Sequence, residues 1–365
     1  GVNFATSVTG GSATRWALQA TQPLYNPQRR AQQQQLGLQA DRADLQWQAA
    51  EQAAMLRAAQ RYFDVAVAQE ALQVLDRQLA AVQKASLEAQ DRYTLGSLPI
   101  TDTHEARARL AGLRAQRLGA QTDLDVKRRL LADSTGLPVG SLAVQLPGAA
   151  PAPAPRDLAA WQGAADAANP SVRLQALALD IAKAEARKHS LRSATTLDLV
   201  AQAGQERLHG SGDFGSARNK SVSAMVGVQL TVPLSTGGWR SARQDEALAQ
   251  QAQAEAQLES TREQVAQQVH AAWLGLSVGA EQVRALTEAL TASEERLAAT
   301  QLGHEVGDRT LLDALNAQND AAAARLALAQ ARTSLLLAHL RLAALAGQLD
   351  ETTLRSANQE LVHTP

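Results

Sequence analysis

Apolar residues recur every three or four positions through two long stretches, 28–94 and 239–304, that contain no proline. The repeating positions in the first stretch are Val65, Ala68, Leu72, Leu75, Leu79 and Val82. In the second stretch they are Val269, Leu276, Val283, Leu290 and Leu297, in steps of seven, with Trp273 and Ala280 between them. This spacing is typical of a coiled-coil seam. At a rise of ~1.5 Å per residue, each stretch could reach roughly 100 Å as a helix. The pattern therefore predicts two unusually long helices that pack side by side.

Three other segments alternate apolar and polar residues with a period of two, which predicts strands with one apolar face. The clearest runs from Ser221 to Pro233, and weaker ones run from Leu197 to Ala203 and from Trp16 to Ala20. A soluble sheet that covers a core is the commoner explanation. Here the helices are expected to bury their apolar faces against one another. No further layer remains to cover the sheet, so we expect lipid to cover its apolar face. Such strands must close into a barrel, because an open edge in lipid leaves backbone groups unpaired.

One chain has too few strands to close such a barrel. Three strands are recognisable, and a complete doubled unit would supply a fourth. Membrane barrels need at least about 8 strands, so several chains must share one barrel, with about eight strands in a dimer or about twelve in a trimer. The strand pattern alone does not choose between the two.

The strand-plus-helix unit occurs twice, with the copies about 210 residues apart. Each long helix ends at a short turn, which contains Gly96 in the first copy and Gly307 in the second, and a returning helix follows. We divide the chain into a first repeat, a Pro/Ala-rich connector, a second repeat and a polar tail, with the boundaries 1–140, 141–168, 169–347 and 348–365.

The two copies are unequal at their beginnings. The second repeat has a helix before its first strand, from near Asn169-Pro170 to about Leu191, and the first repeat has none. We therefore expect the sequence to be truncated at its N-terminus, without one helix and most of one strand.

Composition and charge restrict the classes of protein to which the chain can belong. Apolar residues make up 45% of the chain but aromatic residues only 3%, which is typical of closely packed long helices. The net charge of −1 gives no electrostatic footprint for nucleic acid. No stretch approaches ~18 uninterrupted apolar residues, so no transmembrane helix is predicted. The chain has no cysteine, and its seven histidines are scattered, so we expect no metal, no cofactor and no enzymatic activity.

Several short motifs occur in a fixed order and are duplicated. They are Thr21-Gln22-Pro23-Leu24-Tyr25, Arg92-Tyr93-Thr94-Leu95-Gly96 and Ile100 to Arg109 in the first copy, and Pro233 to Gly238 and Val306 to Ala314 in the second. With these motifs the chain resembles the TolC-type outer-membrane efflux proteins over nearly its whole length. The stretch from Ile100 to Arg109 is most similar to the branch that serves type I secretion and drug efflux.

The resemblance implies a fold and a function. The expected fold is mainly α with β: a long antiparallel α-helical coiled-coil barrel joined to a transmembrane β-barrel shared by three protomers. The expected function is the outer-membrane channel of a tripartite export system for type I protein secretion or multidrug efflux. Its expected partners are two further copies of the chain, a periplasmic adaptor (membrane fusion) protein, an inner-membrane pump of the ABC or RND type and outer-membrane lipid. The duct would open at its periplasmic end when the adaptor and pump dock.

The resemblance also assigns roles to residues near the two glycine turns. Asp313 and Asn316 would line the periplasmic constriction, and Asn316 stands where the family can have a second Asp. Asp102, His304 and Arg309 would form a latch that holds the closed end. The tips would dock the adaptor, through Leu95, Gly96, Ser97, Val306, Gly307 and Asp308. For any one such Asp an ordinary helix cap is the simpler interpretation, but two copies at matching places favour a functional role.

A different class of protein also explains part of the pattern. A soluble periplasmic coiled-coil adaptor or scaffold would contain the same long helices. It would not explain the alternating strands. Dependence of the purified protein on detergent would separate the two hypotheses.

Overall fold

The computed structural model describes residues 8–148, 157–189, 195–212 and 215–362. The proline run of the predicted connector, at 151–155, lies outside these residues. The strands are β1 (Val8–Tyr25), β2 (Thr196–Gly212) and β3 (Gly215–Thr231). The helices are α1 (Pro27–Thr94), α2 (Ile100–Thr135), α3 (Leu158–Ala168), α4 (Pro170–Lys188), α5 (Trp239–Glu305), α6 (Leu311–Leu345) and α7 (Glu351–Val362).

The two long predicted helices are confirmed as α1, with 68 residues, and α5, with 67 residues. Helix α1 begins at Pro27, where the fixed φ of proline suits the first position of a helix. The seam positions are the ones that pack: Val65 and Val269 are fully buried, and Val82 and Val283 are nearly so. The chain is thus mostly helical with a small sheet, as predicted.

Two short helices were not predicted. Helix α3 lies within the segment taken as a connector, and its first turn is capped by Asp157, which accepts a hydrogen bond from the Ala160 amide at 2.8 Å. Helix α7 lies within the segment taken as a polar tail. Asp350 caps it by accepting hydrogen bonds from the Thr353 amide and hydroxyl, and these bonds lower the pKa of Asp350.

The chain divides into two compact units, one formed by residues 1–44 and 174–259 and the other by residues 45–173 and 260–365. The first unit contains the sheet, in which the strands pair antiparallel in the order β1-β2-β3. The register brings the predicted apolar positions of all three strands onto one face, because Leu18 pairs with Ala203 and Ala203 pairs with Ala224. One face of the sheet is therefore more apolar than the other, as the alternation predicts.

The apolar face of the sheet is exposed within the chain. Val226 is 75% exposed, Val222 70% and Leu18 68%. The opposite face has more polar side chains, although Met225 also lies on it, and it includes an ion pair across β1 and β2 between Arg15 and Glu206, at 2.8 Å. Large apolar side chains that stay exposed in a contiguous patch mark a surface that meets lipid or another molecule.

The helical part of the first unit contains a polar cluster at the end of α4. Glu185 accepts hydrogen bonds from Gln35 and Lys188, both at 2.8 Å, and its other oxygen lies 3.0 Å from His189 Nε2. Partial burial alone raises the pKa of Glu185, but these contacts outweigh it and lower the pKa to about 2. Any stability that the cluster contributes is therefore present above the ordinary carboxyl range and is lost as the pH falls towards about 2.

The second unit is built around two antiparallel helix pairs. We call α1 with α2 the first hairpin and α5 with α6 the second hairpin, in each case within residues 45–173 and 260–365. Its core consists of small clusters: Val65, Ala68, Leu124 and Leu131 within the first hairpin, and Phe63 with Leu336 and Leu337 between α1 and α6. In the described ranges, no helix has a window long and apolar enough to cross a membrane.

Candidate functional site: two glycine turns and the helices that follow them

The first glycine turn ends α1 with a left-handed residue. Gly96 has a φ of +74°, which a side chain would disfavour. The Gly96 amide donates to the Tyr93 carbonyl and the Ser97 amide to the Arg92 carbonyl, both at 2.9 Å. The Ser97 hydroxyl also donates to the Arg92 carbonyl, at 3.0 Å. This pattern satisfies the last carbonyls of the helix and leaves Leu95, 81% exposed, at the tip.

The second glycine turn repeats the backbone hydrogen bonds of the first turn, but not the bond of the Ser97 hydroxyl. Gly307 has a φ of +86°, its amide donates to the His304 carbonyl at 3.1 Å, and the Asp308 amide donates to the Gly303 carbonyl at 2.8 Å. Val306 stands at the tip, 73% exposed. The two turns lie side by side, since His304 lines one small cavity together with Leu98 of the first turn. The six residues predicted for docking lie within these two turns.

Asp313 lies in the first turn of α6 and closes a capping box with Thr310. The Thr310 hydroxyl and amide both donate to Asp313 Oδ2, at 2.8 and 3.0 Å, and the Asp313 amide donates to the Thr310 hydroxyl oxygen at 3.1 Å. The hydroxyl and amide bonds from Thr310 lower the pKa of Asp313, and the charge of Arg309 acts in the same direction. Asp313 is therefore an ionised helix cap whose Oδ1 makes none of these contacts.

Asn316 does not stand free one turn beyond Asp313. Its Oδ1 accepts a hydrogen bond from Arg109 Nη1 at 2.9 Å, and Arg109 Nη2 lies 3.5 Å from the Leu315 carbonyl oxygen. Arg109 belongs to α2 of the first hairpin, so this contact joins the two hairpins. No local pattern predicts this contact, because 207 residues separate the two side chains.

The three latch candidates lie near one another without forming the ion pair that the latch hypothesis suggests. Asp102 lines a groove of about 140 Å³ together with Thr310 and Leu311. Its Oδ1 accepts a hydrogen bond from the Thr101 hydroxyl at 3.2 Å. His304 Nδ1 lies 3.1 Å from the carbonyl oxygen of Arg309 in its own turn. Among the described residues, Asp102 and Arg309 make no ion pair with each other, and the latch stays a prediction.

A glycine that sequence reasoning overlooked shapes the second turn. A Cβ added at Gly303 would lie 2.7 Å from Cγ of Arg309, so the Arg309 side chain packs directly over this glycine. The signal was present in the sequence as the only glycine near the end of α5, in the pattern Gly303-His304-Glu305-Val306-Gly307. A larger residue at 303 would push the Arg309 side chain out of its place.

Within the described residues, no group of three or more His, Asp or Glu side chains could hold a metal ion. Asp102 accepts a hydrogen bond from the Thr101 hydroxyl, and Asp313 accepts hydrogen bonds from the hydroxyl and the amide of Thr310. The turns thus present charged side chains and exposed apolar side chains at the ends of the long helices.

Comparison with known proteins identifies a family whose model matches this sequence. A family model described as outer membrane efflux protein matches residues 5–137 and 161–348. The chain is 27% identical over 361 residues to the outer membrane protein TolC of Escherichia coli, which covers 96% of this chain and 72% of that protein. It is 28% identical to the proteases secretion protein PrtF of Dickeya chrysanthemi, over 85% of this chain and 67% of that protein.

The fold also matches solved structures. The structure of the Campylobacter jejuni CmeC outer membrane channel superposes with a TM-score of 0.74 at 14% sequence identity and covers 98% of this chain and 81% of that chain. At this level of identity the likeness concerns the fold alone. The long helix pairs and the small sheet thus occur together in a protein that was solved as a channel.

Proposed function

The chain belongs to the outer membrane efflux protein family, and on that premise we propose that it forms one third of a passive duct for type I protein secretion or multidrug efflux. It is a channel protein of the outer membrane. The observation that supports the duct most directly is the exposed apolar face of the sheet, in a chain that also contains helices of 68 and 67 residues. A soluble adaptor is the alternative that the long helices also fit, but in a soluble protein this apolar face would be exposed to water.

The strands of three chains would close one barrel in this proposal. Antiparallel strands with one apolar face leave unpaired edges in β1 and β3, and those edges must pair with other copies in lipid. Beneath the barrel, the helix pairs of three protomers would form a tunnel. The matching hydrogen bonds of the Gly96 and Gly307 turns support an internal repeat, since the same local structure recurs about 210 residues later.

Three copies of Asp313 would form the charged ring at the periplasmic end. Its carboxylate is held in place by Thr310, and Oδ1 remains for solvent or a cation. A ring of carboxylates attracts cations and repels anions. Asn316 brings no charge to the ring, and the guanidinium of Arg109 sits against it. We therefore propose a single acidic ring of modest cation preference.

The cation preference should persist into acid. The two hydrogen bonds from Thr310 lower the pKa of Asp313, and they oppose the rise in pKa that repulsion between three neighbouring carboxylates causes. The ring should therefore keep its charge to a lower pH than it would without these hydrogen bonds. Replacing Thr310 with Val removes the hydroxyl donor and should move the loss of cation preference to higher pH. The measurement is the reversal potential of bilayer channels in a salt gradient, as a function of pH.

Two controls complete this measurement. Asp313→Asn should abolish the pH dependence altogether. If Asp313→Asn has the same reversal potential as the wild type at every pH, the ring lies elsewhere and the assignment of Asp313 is wrong.

The closed end would be held by Asp102, His304 and Arg309. Asp102 shares its groove with the start of α6, directly after the turn that contains Arg309. Asp102 and Arg309 are not paired within the single chain, but an exposed ion pair between them in the closed trimer would be worth about 0.2–1 kcal/mol, and a few such links could hold a gate that docking still opens. The double substitution Asp102→Ala with Arg309→Ala should raise single-channel conductance, and an unchanged conductance would show that no latch exists at these residues.

The tips would dock a periplasmic adaptor, and the adaptor would recruit an inner-membrane pump of the ABC or RND type. Leu95 and Val306 are large apolar side chains held out at the two tips, with Gly96, Ser97, Gly307 and Asp308 beside them. The relatives include the proteases secretion protein PrtF, which supports assembly with other components of a secretion system. Ser97→Asp should weaken adaptor cross-linking, and intact cross-linking would place docking elsewhere.

No catalytic role is proposed for any residue. The relatives are channel and secretion proteins. The test of the duct itself is conductance: the purified chain in a planar bilayer should form long-lived channels, whereas a protein that never conducts would refute the proposal.

A further inference from the structure

We propose that four side chains at one end of the sheet bind the phosphate groups of lipopolysaccharide, the phosphorylated glycolipid of the outer leaflet. They are Arg207, His209, Arg218 and Lys220, and we call them the basic cluster. The inference rests on the proposed function, because it requires strands that cross the outer membrane with the long helices on the periplasmic side. All four residues belong to the first compact unit.

The register of the sheet places the basic cluster on the apolar face. Val222 lies on that face, and Lys220 and Arg218 precede it in β3 at steps of two residues. Side chains two residues apart on a strand point to the same side. In β2, Arg207 pairs with Lys220 and His209 pairs with Arg218. The four side chains therefore project from the same face as the exposed valines, and all four are exposed.

The basic cluster lies at the end of the sheet that is far from the helices. Strand β1 ends at Tyr25, just before α1 begins, and the register starts there with the pair of Thr196 and Thr231. The register ends with the pair of Gly212 and Gly215, a few residues beyond the basic cluster. In the proposed orientation, this end lies in the outer leaflet of the membrane.

A tryptophan marks the boundary between the apolar side chains and the basic cluster. Trp16 of β1 pairs with Gln205, two residues before Arg207, and its Nε1 donates to Gln205 Oε1 at 3.2 Å. The Trp16 ring is 54% exposed on the apolar face. Rings of this kind are typical of the boundary between acyl chains and head groups. The face thus changes from apolar to aromatic to cationic, in the order of acyl chain, interface and phosphate.

The charges of the sheet are divided between its two faces. In the described parts of the three strands, the acidic side chains are Asp198 and Glu206. Both lie on the opposite face, because each is an odd number of residues from Arg207 in β2. Arg15 pairs with Glu206 on that face. Within the described strands, the basic cluster therefore has no carboxylate on its own face.

Two cations that face each other across the strands destabilise the sheet unless an anion joins them. Arg207 and Lys220 are directly opposite, and such partners have Cβ atoms about 4.5–5.5 Å apart. Like charges at this distance repel each other. A phosphate group can accept hydrogen bonds from both side chains, and arginine presents two parallel N–H groups to it. The register thus produces an arrangement that is unfavourable in the bare sheet and favourable with bound phosphate.

The test measures the affinity of the full chain in detergent for fluorescently labelled, rough-type lipopolysaccharide. The double substitution Arg207→Gln with Lys220→Gln should weaken binding by about tenfold or more, because it removes charge-assisted hydrogen bonds to phosphate. Binding by the wild type should persist in EDTA, since the basic cluster itself supplies the cations. Unchanged affinity in the double variant, or loss of wild-type binding in EDTA, would overturn the proposal.

Competing lipids identify the source of the phosphate. Unlabelled lipopolysaccharide should displace the label, whereas its dephosphorylated form and phosphatidylglycerol should each do so about tenfold less well. Equal displacement by the dephosphorylated form would show that the acyl chains alone are bound. Equal displacement by phosphatidylglycerol would show that the basic cluster binds any anionic lipid and would overturn the choice of lipopolysaccharide.

Two further variants serve as controls for charge and for folding. Arg15→Gln also removes a positive charge near this end of the sheet, but from the opposite face, and should leave the affinity unchanged. Lys220→Glu allows an ion pair with Arg207 across the strands, so it should raise the melting temperature in lipid-free detergent and still lose most of the binding. Wild-type affinity in Lys220→Glu, or an equal loss in Arg15→Gln, would refute the basic cluster.

Conductance separates this proposal from the duct itself. Affinities are compared only between variants that form channels in a planar bilayer, so a failure to fold is not counted as a loss of binding. A wild-type chain that never conducts would refute the duct. A conducting double variant that binds lipopolysaccharide as tightly as the wild type would refute the basic cluster and leave the duct in place.

Discussion

Replacing Val226 with Arg should remove most of the protein from the outer membrane. Val226 lies within β3 on the apolar face of the sheet and is 75% exposed within the chain. If that face lies in lipid, a charge near the middle of the bilayer costs roughly 2–4 kcal/mol, and a trimer contains three of them. The measurement is the fraction of the protein in purified outer membranes at equal expression.

The neighbouring residue provides the control. Met225 precedes Val226, lies on the opposite face and pairs with Gln202 of β2. Met225→Arg places the same charge in nearly the same backbone position, but on the side we expect to face water. It should leave membrane insertion intact. If both variants lose the same fraction of protein from the outer membrane, the two faces of the sheet do not differ in their contact with lipid and water.

Replacing Phe63 with Ala should destabilise the helical unit more than any surface change. Phe63 is 4% exposed and packs between α1 and α6 against Leu336 and Leu337, with the ring of Tyr62 edge-on at 5.2 Å. Removing a buried ring leaves a cavity and typically costs about 3–5 kcal/mol. Hydrogen exchange of the amides around Leu336 should become faster by the corresponding factor.

The control for this prediction is an exposed side chain on a neighbouring helix. Leu118 of α2 is 66% exposed, so Leu118→Ala should change exchange by no more than about 0.5 kcal/mol. Phe63→Leu should fall between the two, because it keeps part of the buried volume. If Phe63→Ala leaves exchange unchanged, this cluster does not hold α6 against α1.

The helices and strands were predictable because each satisfies a local rule. The seam positions Val65 and Val269 are apolar at heptad spacing, and both are fully buried. The alternation in β3 predicted which residues share a face, and the register aligned that face across all three strands. Gly96 and Gly307 marked the turns because only glycine adopts their left-handed backbone without strain.

The short helices were missed because their signals are weak. Helices α3 and α7 have 11 and 12 residues and no long periodic face. Their caps were visible in the sequence: Asp157 and Asp350 each bond to an amide three residues later. A cap residue alone occurs in many loops, so it predicts a helix only together with a periodic pattern.

The position of the site in the sequence could be predicted, but only some of its contacts could. The duplication around the glycine turns predicted where Asp102 and Asp313 lie. The capping box of Asp313 follows from the Thr310 to Asp313 spacing and was weighed as the simpler interpretation. The contact between Arg109 and Asn316 depends on how two hairpins pack, and no local pattern predicts a partner at that separation.

The central claim is that three copies of this chain share one duct, and an image of the detergent-solubilised particle tests it most directly. The account predicts a particle with threefold symmetry and a hollow helical tube, which forms only in detergent or lipid. A monomer that remains soluble without detergent, or a particle with any other symmetry, would contradict the account.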